Sequence, residues 1–133
     1  MYNACLLDLA RSSIGSKCMS VAIIYDVDLE QFDDRVLAAS HDVPVLIDLW
    51  AEWCSPCLVI APLLKQLVEE HEGKLKLAKI EVDEGENMKL AGHYKVRGFP
   101  TIILIINGEE VARFSGAKPL SFLRNFIDEN INK

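Results

Sequence analysis

Apolar residues fall along this chain in short blocks whose spacing alternates between two periods. "VAIIYDV" (21–27) and "LKLAKIEVD" (75–83) read as strands. "VPVLIDLWA" (43–51) and "TIILII" (101–106) are apolar at odd and even positions alike, the pattern of a strand covered on both faces. Between the strands the period lengthens to that of a helix. Leu29, Phe32 and Val36 share one helical face behind Asp28 and Gln31, which form a helix-capping pair. Ile60, Leu63, Leu64, Leu67 and Val68 repeat the same spacing and stop before Gly73. A short helix is predicted around Glu86 to Tyr94, and Asn107-Gly108 marks a two-residue hairpin leading into "EVARFS" (110–115). Pro119 opens a last helix with Phe122, Leu123, Phe126, Ile127 and Ile131 on its inner side. Strands and helices alternate three times before a hairpin and a final helix. That order predicts an α/β fold, with a mixed sheet held between helices in one domain, 21–133. Residues 1–20 are small and polar without periodicity and are expected to form a loosely ordered extension.

Composition narrows the class. A chain of 133 residues, half of them hydrophobic and 26% charged, builds one core without needing a metal or disulfide staple. The net charge of −6, with Lys and Arg scattered rather than clustered, argues against nucleic acid as a partner. The apolar run Val43 to Trp50 is broken by Asp48 and falls far short of the ~20 residues that cross a bilayer, so no membrane span is expected. The N-terminus lacks a basic start, and Asp8 interrupts its only apolar patch, which makes a poor secretory signal. A cytoplasmic monomer is the expectation. In that compartment a close cysteine pair is more often catalytic or metal-binding than structural.

The pair in question is Cys54 and Cys57, in "DLWAEWCSPCLVIAP" (48–62). Three residues apart at a helix start, their sulfurs lie on one face within bonding reach. Pro56 stiffens the first turn, where its missing N–H costs nothing. Cys54 faces the unpaired amides and the positive end of the helix dipole, which favour thiolate and mark it as the nucleophile. Cys57, one turn deeper beside Leu58 and Ile60, suits the resolving thiol. Two other readings compete. A metal site needs two more ligands, and Cys5, Cys18, His41, His71 and His93 stand at no zinc spacing. A structural disulfide would close a tiny loop in a chain that does not need one. Asp48 favours redox chemistry, because a carboxyl inside a two-sided apolar strand has a raised pKa, suited to a general base; a strand-end Asp facing water is the alternative. Lys79 follows Leu75 and Leu77 on one face of the third strand. It is either the partner of that acid or an ordinary Lys whose charge reaches solvent.

"WCSPC", "AP" at 61–62, "VDEGENMKLAGHYKVRGFPT" and "NGEEV" together resemble the thioredoxin family from about residue 22 to 132. The resemblance implies a thioredoxin fold with a five-stranded mixed sheet flanked by four helices, no cofactor or metal, and exchange with protein disulfide substrates. Re-reduction by a thioredoxin reductase is implied as well. Cys54 and Cys57 then match the attacking and resolving cysteines, Asp48 the buried acid, Lys79 its partner and Pro100 a cis-proline that aligns substrate. Trp53, Ser55, Pro56, Gly98, Phe99, Gly116 and Ala117 fall where the family docks substrate. Trp50 fits a second tryptophan near the site, with core packing as its competing role. Pro62 matches a proline that bends the second helix. The sequence departs from the family's WCGPC-Lys at Ser55 and Leu58. A hydroxyl that can donate to the thiolate and a lost cation act on its pKa in opposite directions. The alternatives to a reductase are an oxidant or isomerase on the same fold, or a non-catalytic binding module. Cys5 and Cys18, in the extension, are either free thiols or a regulatory disulfide.

Overall fold

The computed structural model describes residues 23–131; the extension, its two cysteines and the first two residues of the expected strand at 21–27 lie outside them. Five strands form one sheet: β1 Ile24–Asp26, β2 Val45–Trp50, β3 Lys76–Glu81, β4 Thr101–Ile106 and β5 Glu109–Ser115. Their order is β1-β3-β2-β4-β5, with β1, β3 and β2 parallel and β4 and β5 antiparallel to their neighbours. The central strand β2 is buried from Val45 to Leu49, and β4 from Thr101 to Ile105, as strands apolar on both parities must be.

Three α-helices, α1 Ser55–Glu70, α2 Met88–His93 and α3 Leu120–Ile131, and one irregular helical stretch cover the two faces. On one face Leu46, Leu77, Ile102 and Leu104 pack against Ile60, Leu64 and Leu67 of α1 and Leu123 and Ile127 of α3. On the other, Ile47, Ala78 and Ile103 pack against Phe32, Val36 and Leu90. Each fully buried Leu or Ile contributes about 1.5–3 kcal/mol of transfer free energy, so both layers are needed to hold the sheet. Pro62 lies inside α1 without ending it.

The helix predicted behind Asp28 is present but is not α-helical. It winds as 3-10 over Leu29–Gln31, π over Asp33–Ala38 and 3-10 over Ala39–His41. Side chains compete for its carbonyls: the Tyr25 hydroxyl donates to Arg35 O (2.9 Å) and Ser40 Oγ to Leu37 O (2.6 Å). Gln31 does reach back to the Asp28 N–H, at 3.1 Å. Phe122, expected on the inner side of α3, is instead 37% exposed. It stands at the rim, edge-on to Phe114 with ring centroids 5.2 Å apart, because β5 is the sheet edge and leaves that side of α3 open. No helix among the described residues is long and apolar enough to cross a membrane.

Candidate active site

The site forms where β2 ends and α1 begins. After Trp50 the chain turns through Ala51–Trp53, and Cys54 becomes the N-cap of α1 in extended backbone (φ −97°, ψ 101°). Its Sγ accepts a hydrogen bond from Cys57 N at 3.2 Å, and a disulfide joins Cys54 to Cys57 across a Cα–Cα distance of 5.3 Å. A helix N-terminus leaves its first amides without intrahelical partners, and here a sulfur takes one of them. Any negative charge that develops on Cys54 meets that amide and the positive end of the helix dipole. Cys57 is the more deeply buried, 2% exposed against 5% for Cys54. Ser55 and Pro56 are exposed on the first turn.

Around the disulfide the structure gathers residues from three loops. Trp53 is 65% exposed, stands edge-on to Phe99 with centroids 6.0 Å apart, and donates its indole N–H to Asp83 Oδ2 at 2.6 Å. The Phe99–Pro100 peptide bond is cis. Pro100 O accepts from Gly116 N at 3.0 Å, and Thr101 Oγ1 donates to Gly98 O at 2.6 Å, which fastens the two glycine-bearing loops together. Gly116 has φ +90°, a conformation glycine adopts without strain, and a Cβ there or at Gly98 would point into open space. Ala117 is exposed beyond it. Leu58 and Val59 on α1 are more than half exposed, so the wall beyond the cysteines is apolar where the family pattern carries a lysine.

On β2, six residues before Cys54, Asp48 is only 1% exposed. It points to the same side of β2 as Leu46, the side that Ile60 and Leu64 of α1 cover, while Cys54 and Cys57 pack in the cluster with Leu49 and Ala51. Asp48 Oδ1 is buried with no protein hydrogen-bond partner, and so is Trp50 Nε1. Burial pushes the Asp48 carboxyl from its ordinary 3.8 up to about 7, while the Lys79 charge pulls it down. Lys79 is the register partner of Asp48 on β3. It makes no ion pair with that acid, however: its Nζ lies over the Trp50 ring, 5.0 Å from the centroid. The expected partnership is thus one of proximity in register rather than contact.

Two residues with a part in this end of the fold were missing from the sequence reading. Asp83 holds Trp53, and Asn87 is buried with its Oδ1 accepting from Leu29 N (2.7 Å) and its Nδ2 donating to Asp28 Oδ1 (2.9 Å) and Glu81 O (3.0 Å). Neither has a local signal, since Trp53, Leu29 and Asp28 are 30 to 59 residues away and only Glu81 O is near in sequence. Among the described residues no group of His, Cys, Asp or Glu is arranged to hold a metal ion.

A cysteine pair closed into a disulfide at a helix N-terminus, set beside a mixed sheet between helices, points to a dithiol–disulfide oxidoreductase. Comparison with known proteins names the family: its thioredoxin model matches residues 23–129. Thioredoxin of Haemophilus influenzae is 42% identical over 108 residues, covering 81% of this chain and 94% of that protein. Thioredoxin C-2 of Corynebacterium nephridii is 43% identical over 113 residues, 85% of this chain and the whole of that protein. The chloroplastic thioredoxin M5 of Oryza sativa is 36% identical over 122 residues, 91% of this chain and 69% of that protein. The chain belongs to the thioredoxin family. It is a thioredoxin-type protein-disulfide reductase with a Cys54–Cys57 redox pair, and its substrates are protein disulfides.

Proposed function

We propose that the chain works as a cytoplasmic, monomeric electron carrier, re-reduced by a thioredoxin reductase, with a division of labour among the residues of the site. The observation that carries this reading is the Cys54–Cys57 disulfide at the N-terminus of α1, directly after the strand that holds a buried Asp48 with an unpartnered oxygen. In the reduced protein the Cys54 thiolate attacks one sulfur of a substrate disulfide. A Cys54–substrate bond forms as the substrate S–S bond breaks, and the released thiolate takes a proton from water. Asp48 accepts the proton of the Cys57 thiol, and Cys57 Sγ then attacks Cys54 Sγ. That second exchange expels the other substrate thiolate and leaves the Cys54–Cys57 disulfide. Two electrons have passed to the substrate, and the reductase returns two. An extended substrate lies along Pro100 and Gly98, against Trp53, Phe99, Gly116 and Ala117, with Ser55 and Pro56 at its edge. Residues 21–133 form the working domain and 1–20 an extension to it.

Reduction of insulin driven by dithiothreitol tests the assignment. Cys54→Ser is expected to lose the activity, and Cys57→Ser to accumulate a covalent mixed disulfide with substrate. A normal rate with Cys54→Ser would overturn it. Equilibration of the couple against glutathione, followed by Trp53 fluorescence, tests the direction. A potential well above that of the cytosolic thiol pool would make the protein an oxidant instead.

A further inference from the structure

The register that pairs Asp48 with Lys79 continues one strand further. Asp26 of β1 is the register partner of Lys79, so Asp26, Lys79 and Asp48 lie side by side on one face of three parallel strands. Asp26 is exposed at the sheet edge and Asp48 is buried. A cavity of about 280 Å³ opens over the outer part of this row. Asp26, Asp28, Trp50, Lys79, Glu81 and Glu84 line it, so Lys79 is the one cation facing four carboxylates. Glu81, two residues beyond Lys79, projects from the same face of β3. Its carboxyl is held above its usual value by desolvation and by the charges of Glu52, Glu84, Asp83 and Asp26, a crowd of acids that gains from a cation in its midst. Asp28 already receives the Asn87 amide, which leaves Asp26 and Glu81 as the carboxylates nearest in register to the ammonium.

On the inner side the competition is weaker in number but stronger per charge. Asp48 faces Lys79 from β3, the apolar Ile102 of β4, the uncharged Trp50 of its own strand and the side of the sheet that the apolar Ile60 and Leu64 of α1 cover. Lys79 is the single cation that raises or lowers its charge state from nearby. A four-carbon stem lets one ammonium be drawn to either side. The ammonium lies over the Trp50 ring and makes no ion pair with Asp48, Asp26 or Glu81, so it stands between the inner acid and the outer ones, committed to neither by contact.

We propose that Asp26 and Glu81 are positioning residues for the reductase site: the field of their carboxylates draws the Lys79 ammonium towards the mouth of this cavity and so weakens its pull on Asp48. The inference rests on Asp48 acting as the base, and it gives β1, which touches neither cysteine, a part in the proton step.

Carboxyl-carbon NMR titration of Asp48 in the oxidised protein tests it in four forms: wild type, Asp26→Asn with Glu81→Gln, Lys79→Met, and all three substitutions together. With Lys79 present, removing the two outer charges frees the ammonium to turn inward and is expected to lower the Asp48 midpoint by about 1 pH unit. With Lys79→Met the same removal is expected to move it by less than half as much. No shift in the presence of Lys79, or an equal or larger shift in its absence, would overturn the proposal, the latter because direct repulsion then suffices. The midpoints are read without turnover. Failure of Asp48 as the base is therefore recognised separately, by an Asp48→Asn variant that reduces insulin at the wild-type rate across the pH range.

Discussion

Ser40 and Asp48 stand near opposite ends of β2 and are buried to nearly the same degree, 2% and 1% exposed. Ser40 is satisfied on every side. Its Oγ donates to Leu37 O and accepts from Gly108 N (2.8 Å), and its carbonyl accepts from Asn107 N (3.0 Å), which ties the β4–β5 turn to the helical stretch before β2. Asp48 has an oxygen with no protein partner. Two buried polar side chains on one scaffold thus carry opposite energetic signs. The satisfied one removes alternatives and holds the fold; the unsatisfied one stays sensitive to protons because nothing else has claimed it. Among the described residues, Asp48 is the buried ionisable side chain with an oxygen left unmatched.

The comparison breaks if Asp48 does not carry an ionisation penalty, and this prediction has the largest expected size. A carboxyl raised from 3.8 to about 7 by folding binds its proton more tightly in the native than in the unfolded state. Between those values the unfolded chain has lost the proton and the native one keeps it, so stability falls as pH rises from about 4 to about 7 and levels off above. The integrated loss is about 4 kcal/mol. Oxidised Asp48→Asn is expected to lack that decline and to be more stable than wild type at pH 8, by about 2–4 kcal/mol once the cost of an incompletely bonded buried amide is counted. Urea unfolding at pH 5 and pH 8 for both proteins checks it. Parallel pH profiles would remove the penalty, and with it the contrast to Ser40.

Asn87 sharpens the same contrast from the satisfied side, with the next largest effect. Its three hydrogen bonds join the start of the helical stretch, the end of β3 and the loop into α2. Replacing it by Ala strips Leu29 N of its partner, takes the amide donor from Asp28 Oδ1, and leaves Glu81 O with Glu84 N alone. A loss of about 2–3 kcal/mol is expected, because unpaired backbone groups cost more than the bonds themselves contribute. A fall of the urea midpoint with an unchanged denaturant slope is the result that supports this. Stability within a few tenths of wild type would mean that solvent reaches the freed groups.

What could be read from the residues was local in origin. The period of apolar positions located every strand and helix, and Asn107-Gly108 turned the chain with φ of 53° and 80°, the left-handed pair that such a turn demands. Cys54, Pro56 and Cys57 announced their chemistry because a helix start confers it on neighbours in sequence. The parts that escaped depend on where strand ends meet. Asn87 and Asp83 act on residues brought close by parallel strands, and no spacing along the chain encodes that. The uneven winding of 29–41 accompanies the loss of its carbonyls to Tyr25, from the neighbouring strand, and to Ser40 within the segment itself, on a stretch whose apolar pattern is helical. The pattern puts Lys79 in the right row and leaves its role open between partner of Asp48 and ordinary lysine. Register follows from side-chain parity, but where a long flexible stem sends its charge depends on the acids around it.

Ser40→Ala is the smallest of these perturbations and tests whether the two ends of β2 are separable. The substitution removes one hydroxyl, leaving Gly108 N and Leu37 O to find water or go unpaired, while the Ser40 carbonyl still accepts from Asn107 N. Because the turn lies near the surface, with Gly108 half-buried, partial rescue by solvent is expected and the cost should be about 1–2 kcal/mol. Insulin reduction should be unaffected, since the strand between the two sites is packed on both faces and keeps its register through five paired positions with β4. A change in the pH profile of turnover would show instead that loosening the hairpin reaches the Asp48 end. The rigid middle of β2 would then be the path between the ends rather than the barrier that keeps structure and chemistry apart.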